Sequence, residues 1–320
     1  MLDKIIIDGL AFALPLFVMA IGGIYSERSG ITNLALEGLQ GAGAFVGALA
    51  AVILMRTMGI NSQIPYYAAM LFAMIGGMLY SMLHALLCVK FKANQVISGV
   101  VINILATALT TFLTNAINRV AFDAPSDKFN LGASQKWTIP DLREIPGVRV
   151  IFKDFYPFEA IIVVVAIIAW YILYKTKYGL HLRACGDNPH AVDAAGIDVA
   201  KIRFTAVMVS GALSGLAGMC FAYSISAKFS SGIYLGYGYL SIAALIFGNW
   251  KITNTLAACL LFGFAKSGGY QIVQNVGLPS SYSDLIMIFP YVLTLLLLVF
   301  FSKHNNVPRA LGVIYDKGKR

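Results

Sequence analysis

Long apolar runs separated by short polar breaks dominate the chain. They occupy residues 5–24, 31–55, 64–89, 95–118, 158–174, 202–226, 238–248, 254–276 and 285–302. Most are long enough to cross about 30 Å of hydrocarbon as a helix. The seventh is too short to cross alone, so we expect it to be a half-helix or to merge with its flank. Because the runs are continuous rather than alternating, they favour helices over a β-barrel. The sequence predicts an all-α polytopic membrane protein with about nine transmembrane helices.

The composition agrees with a lipid-embedded protein. Of 320 residues, 58% are hydrophobic and 12% are charged, about half the charged share of a soluble domain. The formal net charge of +9 could suggest nucleic acid, but the basic residues lie between the apolar runs rather than on one face. They are better interpreted as topology signals and headgroup anchors. The four cysteines are far apart and form no CxxC pair, which disfavours both a disulfide framework and a metal site.

The distribution of basic residues predicts the orientation. With the N-terminus outside, the inner segments hold fourteen lysines and arginines and the short outer segments hold three. This bias fits the positive-inside rule and predicts an N-out, C-in chain whose first run is a spanning helix, not a removed signal peptide. The expected organisation is a transmembrane domain (1–302), with an extracytoplasmic loop at 119–157 and a cytoplasmic loop at 176–201, followed by a basic cytoplasmic tail (303–320).

Two related halves are also expected. Ser29-Gly30-Ile31 precedes a glycine-rich run at 38–47, and Ser231-Gly232-Ile233 precedes another at 236–248. In transporters built from such repeats, the substrate route follows the interface of the halves.

The polar residues inside the apolar runs are the candidates for a substrate pathway. No phosphate loop, zinc motif or nucleophile elbow is present, so we expect no catalysis and no metal in this chain. Glu37 and Lys266 are ionisable residues in apolar runs, which is costly unless they face a cavity or a partner. They either line the route, as an ion pair in one arrangement, or clasp helices together. The other pathway candidates, which could equally join helices, are Asn33, Gly38, Gln40 and Asn103.

A polar segment between the fifth and sixth runs predicts a short surface helix. In Tyr178–Ile197, Asp187 or Asn188 can cap a helix whose first turn takes Pro189, and Gly196 can end it. Its face would carry the small residues Ala191, Ala194 and Ala195. Such a helix suits a groove on another protein, although an ordinary connector fits equally well.

Two blocks of the sequence resemble one transporter family. YGLHLRACGDNPHAVDAAGI (178–197) is similar to the coupling loop of ABC importer permeases for simple sugars, nucleosides and branched-chain amino acids. GGIYSERSGITNLALEGLQGAGAF (22–45) is similar to the signature of the nucleoside and simple-sugar branch, and GALSGLAG (211–218) and GYLSIAALIFGNW (238–250) also look like family patterns.

The resemblance implies partners and roles. Such permeases work as a pair of identical or homologous chains, over cytoplasmic ATPase subunits that bind ATP and Mg, and a solute-binding lipoprotein delivers the solute from outside. It therefore implies a multi-pass protein of the bacterial cytoplasmic (inner) membrane that binds no cofactor and no nucleic acid. Residues 33–38 would line the route, and loop 119–157 would face the binding protein. The ATPase-coupling residues would be Arg183, Gly186, Asn188, Pro189, Ala191, Ala194, Ala195 and Gly196.

Nucleosides are the expected solutes, with simple sugars or branched-chain amino acids as alternatives. From the residues alone, a gradient-driven secondary carrier or a channel-like scaffold would also fit the apolar helices. A proton-driven carrier is disfavoured because the acids and histidines are too scattered to form a relay.

Overall fold

The protein is a bundle of long helices with three short ones. A computed structural model describes residues 2–59, 63–123, 125–132, 136–138, 150, 154–232, 234–277, 288, 292, 296 and 306–317. The helices, in chain order, are α1 (Leu2–Arg28), α2 (Leu36–Met58), α3 (Ile64–Ala85, continued by a π-helical turn Leu86–Lys90), α4 (Gln95–Ala121), α5 (Pro157–Lys175), α6 (Lys177–Asp187), α7 (Pro189–Ala194), α8 (Val199–Ile225), α9 (Tyr237–Phe247) and α10 (Ile252–Val276).

The prediction of a polytopic helical membrane protein is confirmed. Seven helices of the described chain are long and apolar enough to span a membrane. The seventh apolar run forms the separate 11-residue helix α9, which agrees with a half-helix. The predicted helix 285–302 lies outside the described residues except for positions 288, 292 and 296. The count of nine, the orientation and the paired halves therefore stay predictions.

Three helices form the centre of the bundle. Among the described spans, α1, α2 and α8 are the most enclosed, with 67%, 61% and 72% of their most apolar windows buried. The backbones of α2, α3 and α8 touch where Gly43, Gly77 and Gly215 meet, because a Cβ on any of them would overlap backbone atoms of a neighbouring helix. Small residues at helix crossings allow such close packing in membranes. The central glycines therefore set the distances between these helices.

The two ends of the bundle differ. One end, called here the α7 end, carries α6 and α7. The opposite end, the strand end, carries a short antiparallel pair of β1 (Phe129–Asn130) and β2 (Lys228–Phe229). The all-α prediction missed this pair, which forms because the segments after α4 and α8 lie side by side and satisfy each other's backbone groups. The rings of Phe129 and Phe229 stack on each other, and both contact the ring of Phe45 in α2 at an angle.

The predicted loop 119–157 is therefore partly folded onto the bundle. Helix α4 extends to Ala121, and α5 begins at Pro157. Phe129 is only 1% exposed and Leu131 is also buried. The described part of the loop nearest α4 packs on the membrane-spanning helices rather than extending into solvent. Pro140 and Pro146 of this loop lie outside the described residues.

Candidate functional site

Two interrupted helices begin inside the bundle. After α1 ends at the α7 end, residues 29–35 are not helical. They run back into the bundle until Asn33 Nδ2 donates a hydrogen bond of 2.9 Å to Ser210 Oγ, near the middle of α8. Helix α2 starts at this level. Residues 226–236 likewise separate α8 from α9. The predicted start of the second helix at 31 was wrong, because residues 31–33 are non-helical, residues 34–35 form a turn and the helix begins at Leu36.

The first turns of α2 and α9 are in direct contact, and Glu37 joins them. The Glu37 carboxylate accepts a hydrogen bond of 2.8 Å from the backbone N–H of Gly236, the N-cap residue of α9. The backbone of Gly238 approaches so closely that a Cβ there would lie 2.6 Å from Glu37 Cα. Helix N-termini expose unpaired N–H groups and carry partial positive charge. Glu37 therefore caps α9 from a different helix.

Asn103 of α4 makes the matching contact with α2. Its Oδ1 accepts a hydrogen bond of 2.7 Å from the backbone N–H of Gly38, and its Nδ2 donates to the carbonyl of Leu34 at 2.8 Å. Nδ2 also lies 3.3 Å from the hydroxyl of Tyr239 in α9. A Cβ at position 38 would lie 2.9 Å from Asn103 Cα. Glycine at 38 thus permits this close approach.

We call Asn33, Glu37, Gly38, Asn103 and Gly236 the N-terminal cluster, because they lie at or contact the N-terminal ends of helices α2 and α9. All of its polar side chains have hydrogen-bond partners in the protein. The structure therefore shows these predicted pathway residues as links between α2, α4, α8 and α9. A role in the route remains a prediction.

Gln40 differs from the cluster residues. Its side chain is fully buried, and neither its Nε2 nor its Oε1 has a hydrogen-bond partner in the described structure. Ser214 Oγ on α8 is buried without a partner as well. Buried amides without partners are rare in folded proteins, because desolvation is then uncompensated. Among the polar side chains of the predicted pathway residues, that of Gln40 makes no hydrogen bond in the described structure.

Lys266 lies on α10 and reaches the start of α9. Its Nζ donates a hydrogen bond of 2.7 Å to the hydroxyl of Tyr237, and the ammonium lies 3.8 Å from the centre of the Phe12 ring. The predicted ion pair with Glu37 is not formed. Glu37 is instead neutralised by the backbone at the N-terminus of α9, and Lys266 is stabilised by aromatic faces. Lys266 also lines a pocket of about 390 Å³ with Asp8, Phe12, Tyr156, Tyr237, Ser267 and Tyr270.

The predicted surface helix is present at the α7 end. The Asn188 side chain accepts a hydrogen bond of 3.1 Å from the backbone N–H of Ala191, so Asn188 is the cap and Asp187 belongs to the preceding helix α6. Gly196 ends the turn with a φ of +78°, which favours glycine. Pro189 is buried, whereas Ala191, Ala194 and Ala195 are exposed. The small-residue face is thus available at the surface.

Two other predicted coupling residues face inward or along their own helix. Gly186 packs so tightly on the end of α1 that a Cβ would overlap the carbonyl oxygen of Arg28. Arg183 Nε donates to the carbonyl of Gly179 at 3.2 Å, within the same helix. Between them, Cys185 is fully buried, and burial raises the pKa of its thiol to about 11. In this structure Gly186 anchors α6 to α1, and the Arg183 guanidinium lies 5.6 Å from the centre of the Tyr174 ring.

Sequence reasoning missed several buried polar residues at the α7 end. Trp250 Nε1 donates a hydrogen bond of 2.6 Å to the Glu27 carboxylate, and Arg28 donates to the carbonyl of Trp250. Arg203 is only 3% exposed, and its Nε donates to the carbonyl of Ser29. By sequence alone, Arg28 and Arg203 are two of the fourteen basic residues of the inner segments, which indicate only topology. The signal that could have indicated these contacts was the charged pair Glu27 and Arg28, directly before the tripeptide Ser29-Gly30-Ile31.

No group of three histidine, cysteine, aspartate or glutamate side chains suited to a metal ion occurs in the part of the chain that the structure describes.

Comparison with known proteins covers nearly the whole chain. Guanosine ABC transporter permease protein NupQ of Bacillus subtilis is 37% identical, over 97% of this chain and 96% of NupQ. Nucleoside ABC transporter permease protein NupC of Lactococcus lactis is 35% identical, over 99% of this chain and 98% of NupC. Guanosine ABC transporter permease protein NupP of Bacillus subtilis is 27% identical, over 95% of this chain and 82% of NupP. No solved structure matches this chain. Residues 5–298 match the family described as branched-chain amino acid transport system / permease component, and the chain belongs to that family.

Proposed function

We propose that this chain is the membrane-spanning permease subunit of an ATP-driven importer of nucleosides. Family membership supports the permease role, and the observation that carries the choice of solute is the full-length similarity to permease proteins described as transporting guanosine and nucleosides. The proposed location is the bacterial cytoplasmic membrane, with the N-terminus outside and the α7 end in the cytoplasm. The basic residues between the helices support this orientation.

The energy is supplied by a partner in this proposal. A cytoplasmic ATPase subunit binds ATP and Mg and docks on α7. The exposed face of Ala191, Ala194 and Ala195 supports docking, because small side chains let another protein approach the helix backbone. An extracytoplasmic solute-binding lipoprotein delivers the nucleoside at the strand end, where β1 and the other described residues that follow α4 lie. This chain holds no cofactor of its own.

The second permease is a homologous chain rather than an identical one. Two guanosine ABC transporter permease proteins of Bacillus subtilis, NupQ and NupP, are similar to this chain. This chain is 37% identical to NupQ and covers 96% of it, whereas it is 27% identical to NupP and covers 82% of it. The stronger likeness to NupQ supports the inference that this chain is the NupQ-type member of a pair. Its partner would be a longer, NupP-type paralogue.

The N-terminal cluster forms the central part of the proposed route. The first turns of α2 and α9 meet there, and discontinuous helices of this kind bind solutes in other transporters. Separation of α9 from α2 would free the Glu37 carboxylate and the N–H group of Gly236 at the start of α9. Nucleoside hydroxyl and imino groups could then replace these protein–protein hydrogen bonds. Such an exchange gives little net affinity, which suits a permease whose binding protein supplies selectivity.

Gln40 and Lys266 would extend this route beyond the cluster. Gln40 offers an amide without a partner one turn along α2 from the cluster. Lys266 reaches Tyr237 at the start of α9 from a pocket lined by aromatic rings. Aromatic faces can stack on a nucleobase, and the serine and aspartate side chains of the pocket can bind ribose hydroxyls. These features favour nucleosides over leucine-like solutes.

Reconstitution in lipid vesicles tests the proposal. We expect labelled guanosine to enter vesicles only when the second permease, the ATPase, the binding protein and ATP are all present, with ribose and leucine as comparison solutes. A hydrolysis-deficient ATPase is the control. Uptake by this chain alone under a proton or sodium gradient would show a secondary carrier instead. Preferential uptake of ribose or leucine by the complete system would overturn only the solute.

A further inference from the structure

The segment 306–317 near the C-terminus crosses the whole α7 end of the protein. The sequence suggested only a basic tail, yet Pro308 and Ala310 are buried. We call residues 306–317 the C-terminal strap. Its first residue, Asn306, donates its backbone N–H to Asn249 Oδ1 in the turn between α9 and α10 at 2.6 Å.

Backbone hydrogen bonds tie the middle of the strap to the ends of α1 and α6. The N–H of Ala310 donates to the carbonyl of Gly186 at 2.7 Å, and the N–H of Gly312 donates to the carbonyl of Gly30 at 3.1 Å. The buried Arg203 of α8 donates to the carbonyl of Val313 at 3.0 Å. Residues 29–35, which lead to the N-terminal cluster, therefore begin against the strap.

The last part of the strap holds α7 and the turn between α3 and α4. Lys317 forms an ion pair of 3.4 Å with Asp193 of α7, and the ring of Tyr315 contacts His190 with centroids 5.3 Å apart. Asp316 forms an ion pair of 2.9 Å with Lys92. The strap thus joins α7 to Gly30, which precedes α2, and to Lys92, which precedes α4. Both α2 and α4 contribute residues to the N-terminal cluster.

The strap also presents apolar side chains outside the spanning helices. Val313 is 51% exposed and Ile314 is 46% exposed. They lie close in sequence to Tyr315 and Lys317, which contact α7. The exposed alanines of α7 lie at the same end of the protein. Charged Arg309 and Lys317 accompany them. Exposed apolar residues with a charged surround are typical of a protein interface.

We propose that the C-terminal strap and α7 form a single unit that contacts the ATPase, and that the strap carries its displacement to the Gly30 turn and the α3–α4 turn. This inference rests on the proposed function, because it takes the ATPase as the occupant of the surface. It adds to docking through α7 a second contact and a physical connection toward the N-terminal cluster. The links to Gly30 and Lys92 are the contacts that would transmit the movement.

The contact is tested with the double variant Val313→Glu and Ile314→Glu in the complete transporter. Both side chains are exposed, so the backbone hydrogen bonds of the strap should persist. We expect ATPase co-purification to fall at least about fivefold, as for central interface residues. Val307→Glu, equally exposed but at the other end of the strap, is the matched control. If the double variant loses its monodisperse elution profile, the pair of serine substitutions at the same positions replaces it.

The connection is tested with Lys92→Glu, Asp316→Lys and their combination. Each single variant should retain the ATPase but reduce guanosine-stimulated ATP hydrolysis about fivefold, the lower range of energetic coupling between sites. The combined variant should recover most of the stimulation. Wild-type-like co-purification of the Val313 and Ile314 variant, or wild-type-like stimulation in both charge variants, would overturn the inference. If wild-type chain itself fails to retain the ATPase, the proposed function fails instead.

Discussion

The N-terminal cluster and the α7 end are both built around interrupted helices, but they are held in different ways. In the cluster, the half-buried side chain of Glu37 and the buried side chain of Asn103 cap the starts of helices that belong to other parts of the chain. At the α7 end, many links are backbone hydrogen bonds and partly exposed ion pairs along the strap. Buried charge-assisted hydrogen bonds contribute more than exposed ion pairs.

This difference separates two tasks. The cluster can change only when several buried hydrogen bonds are exchanged together, which makes it suited to two discrete states. The α7 end can be displaced while its backbone links stay intact, which makes it suited to receive movement.

Gly43→Ala should have the largest effect, on folding itself. The added methyl would overlap Gly215 Cα of α8 and the carbonyl oxygen of Ala73 in α3, and overpacking of this kind costs about 1–3 kcal/mol or more. We expect a strong loss of monodisperse protein and of thermal stability in detergent, measured by fluorescence-detected size exclusion. Gly41→Ala on the same helix is the control, since its Cβ would meet no atom within 4 Å. Equal stability of the two variants would contradict close packing of α2.

Glu37→Gln should abolish most guanosine uptake while leaving the ATPase bound. The neutral amide weakens the hydrogen bond to the N-cap of α9, where a charged acceptor contributes about 1.5–3 kcal/mol, and removes the carboxylate from the proposed route. Uptake and ATPase co-purification are measured on one preparation. Asp123→Asn, a neutralisation at the strand end, serves as control. Unchanged uptake by the glutamine variant would remove Glu37 from the route.

Ala194→Arg should stop the ATPase from co-purifying without lowering the yield of the permease. The exposed α7 face would then carry a long charged side chain where small ones allow close approach. Ser226→Arg adds the same charge at the exposed strand end and should retain the ATPase. Intact co-purification of the Ala194 variant would count against docking on α7.

The smallest expected effect concerns thiol labelling, because we expect Cys185 not to react. Burial raises the pKa of this thiol to about 11, so at pH 7 to 8 it stays protonated as well as enclosed. Maleimide should leave Cys185 unmodified, while the engineered cysteine in Ala194→Cys should react within the same time. Mass spectrometry of the peptides distinguishes them. Rapid labelling of Cys185 would show that α6 separates from α1 and α8 far more readily than its packing indicates.

Several structural features of this protein could be predicted from local sequence alone. Hydrophobic runs longer than a bilayer have few alternatives to helices, so the seven spans appeared with small shifts at their ends. The surface helix α7 was equally predictable, because Asn188, Pro189 and Gly196 act on the backbone within a few residues. The permease family was also recognisable from two contiguous blocks.

Contacts between distant segments were not predictable in this way. The sequence shows Glu37 as an isolated acid in an apolar run, and Lys266 was a reasonable candidate for its salt-bridge partner. The structure supplies the start of α9 instead, about 200 residues away in the chain. Arg203 and the C-terminal strap were likewise assigned as topology signals, since nothing local indicates that they pack together.

The sequence by itself determined the membrane class, the helical spans, the capped surface helix and the family, because each depends on composition or on neighbours within one helical turn. Tertiary packing selects which helix starts meet, that Glu37 caps α9, and that residues 306–317 lie across the α7 end. Those features depend on satisfying polar groups away from water, and any of several distant partners could have satisfied them until the packed bundle selected one.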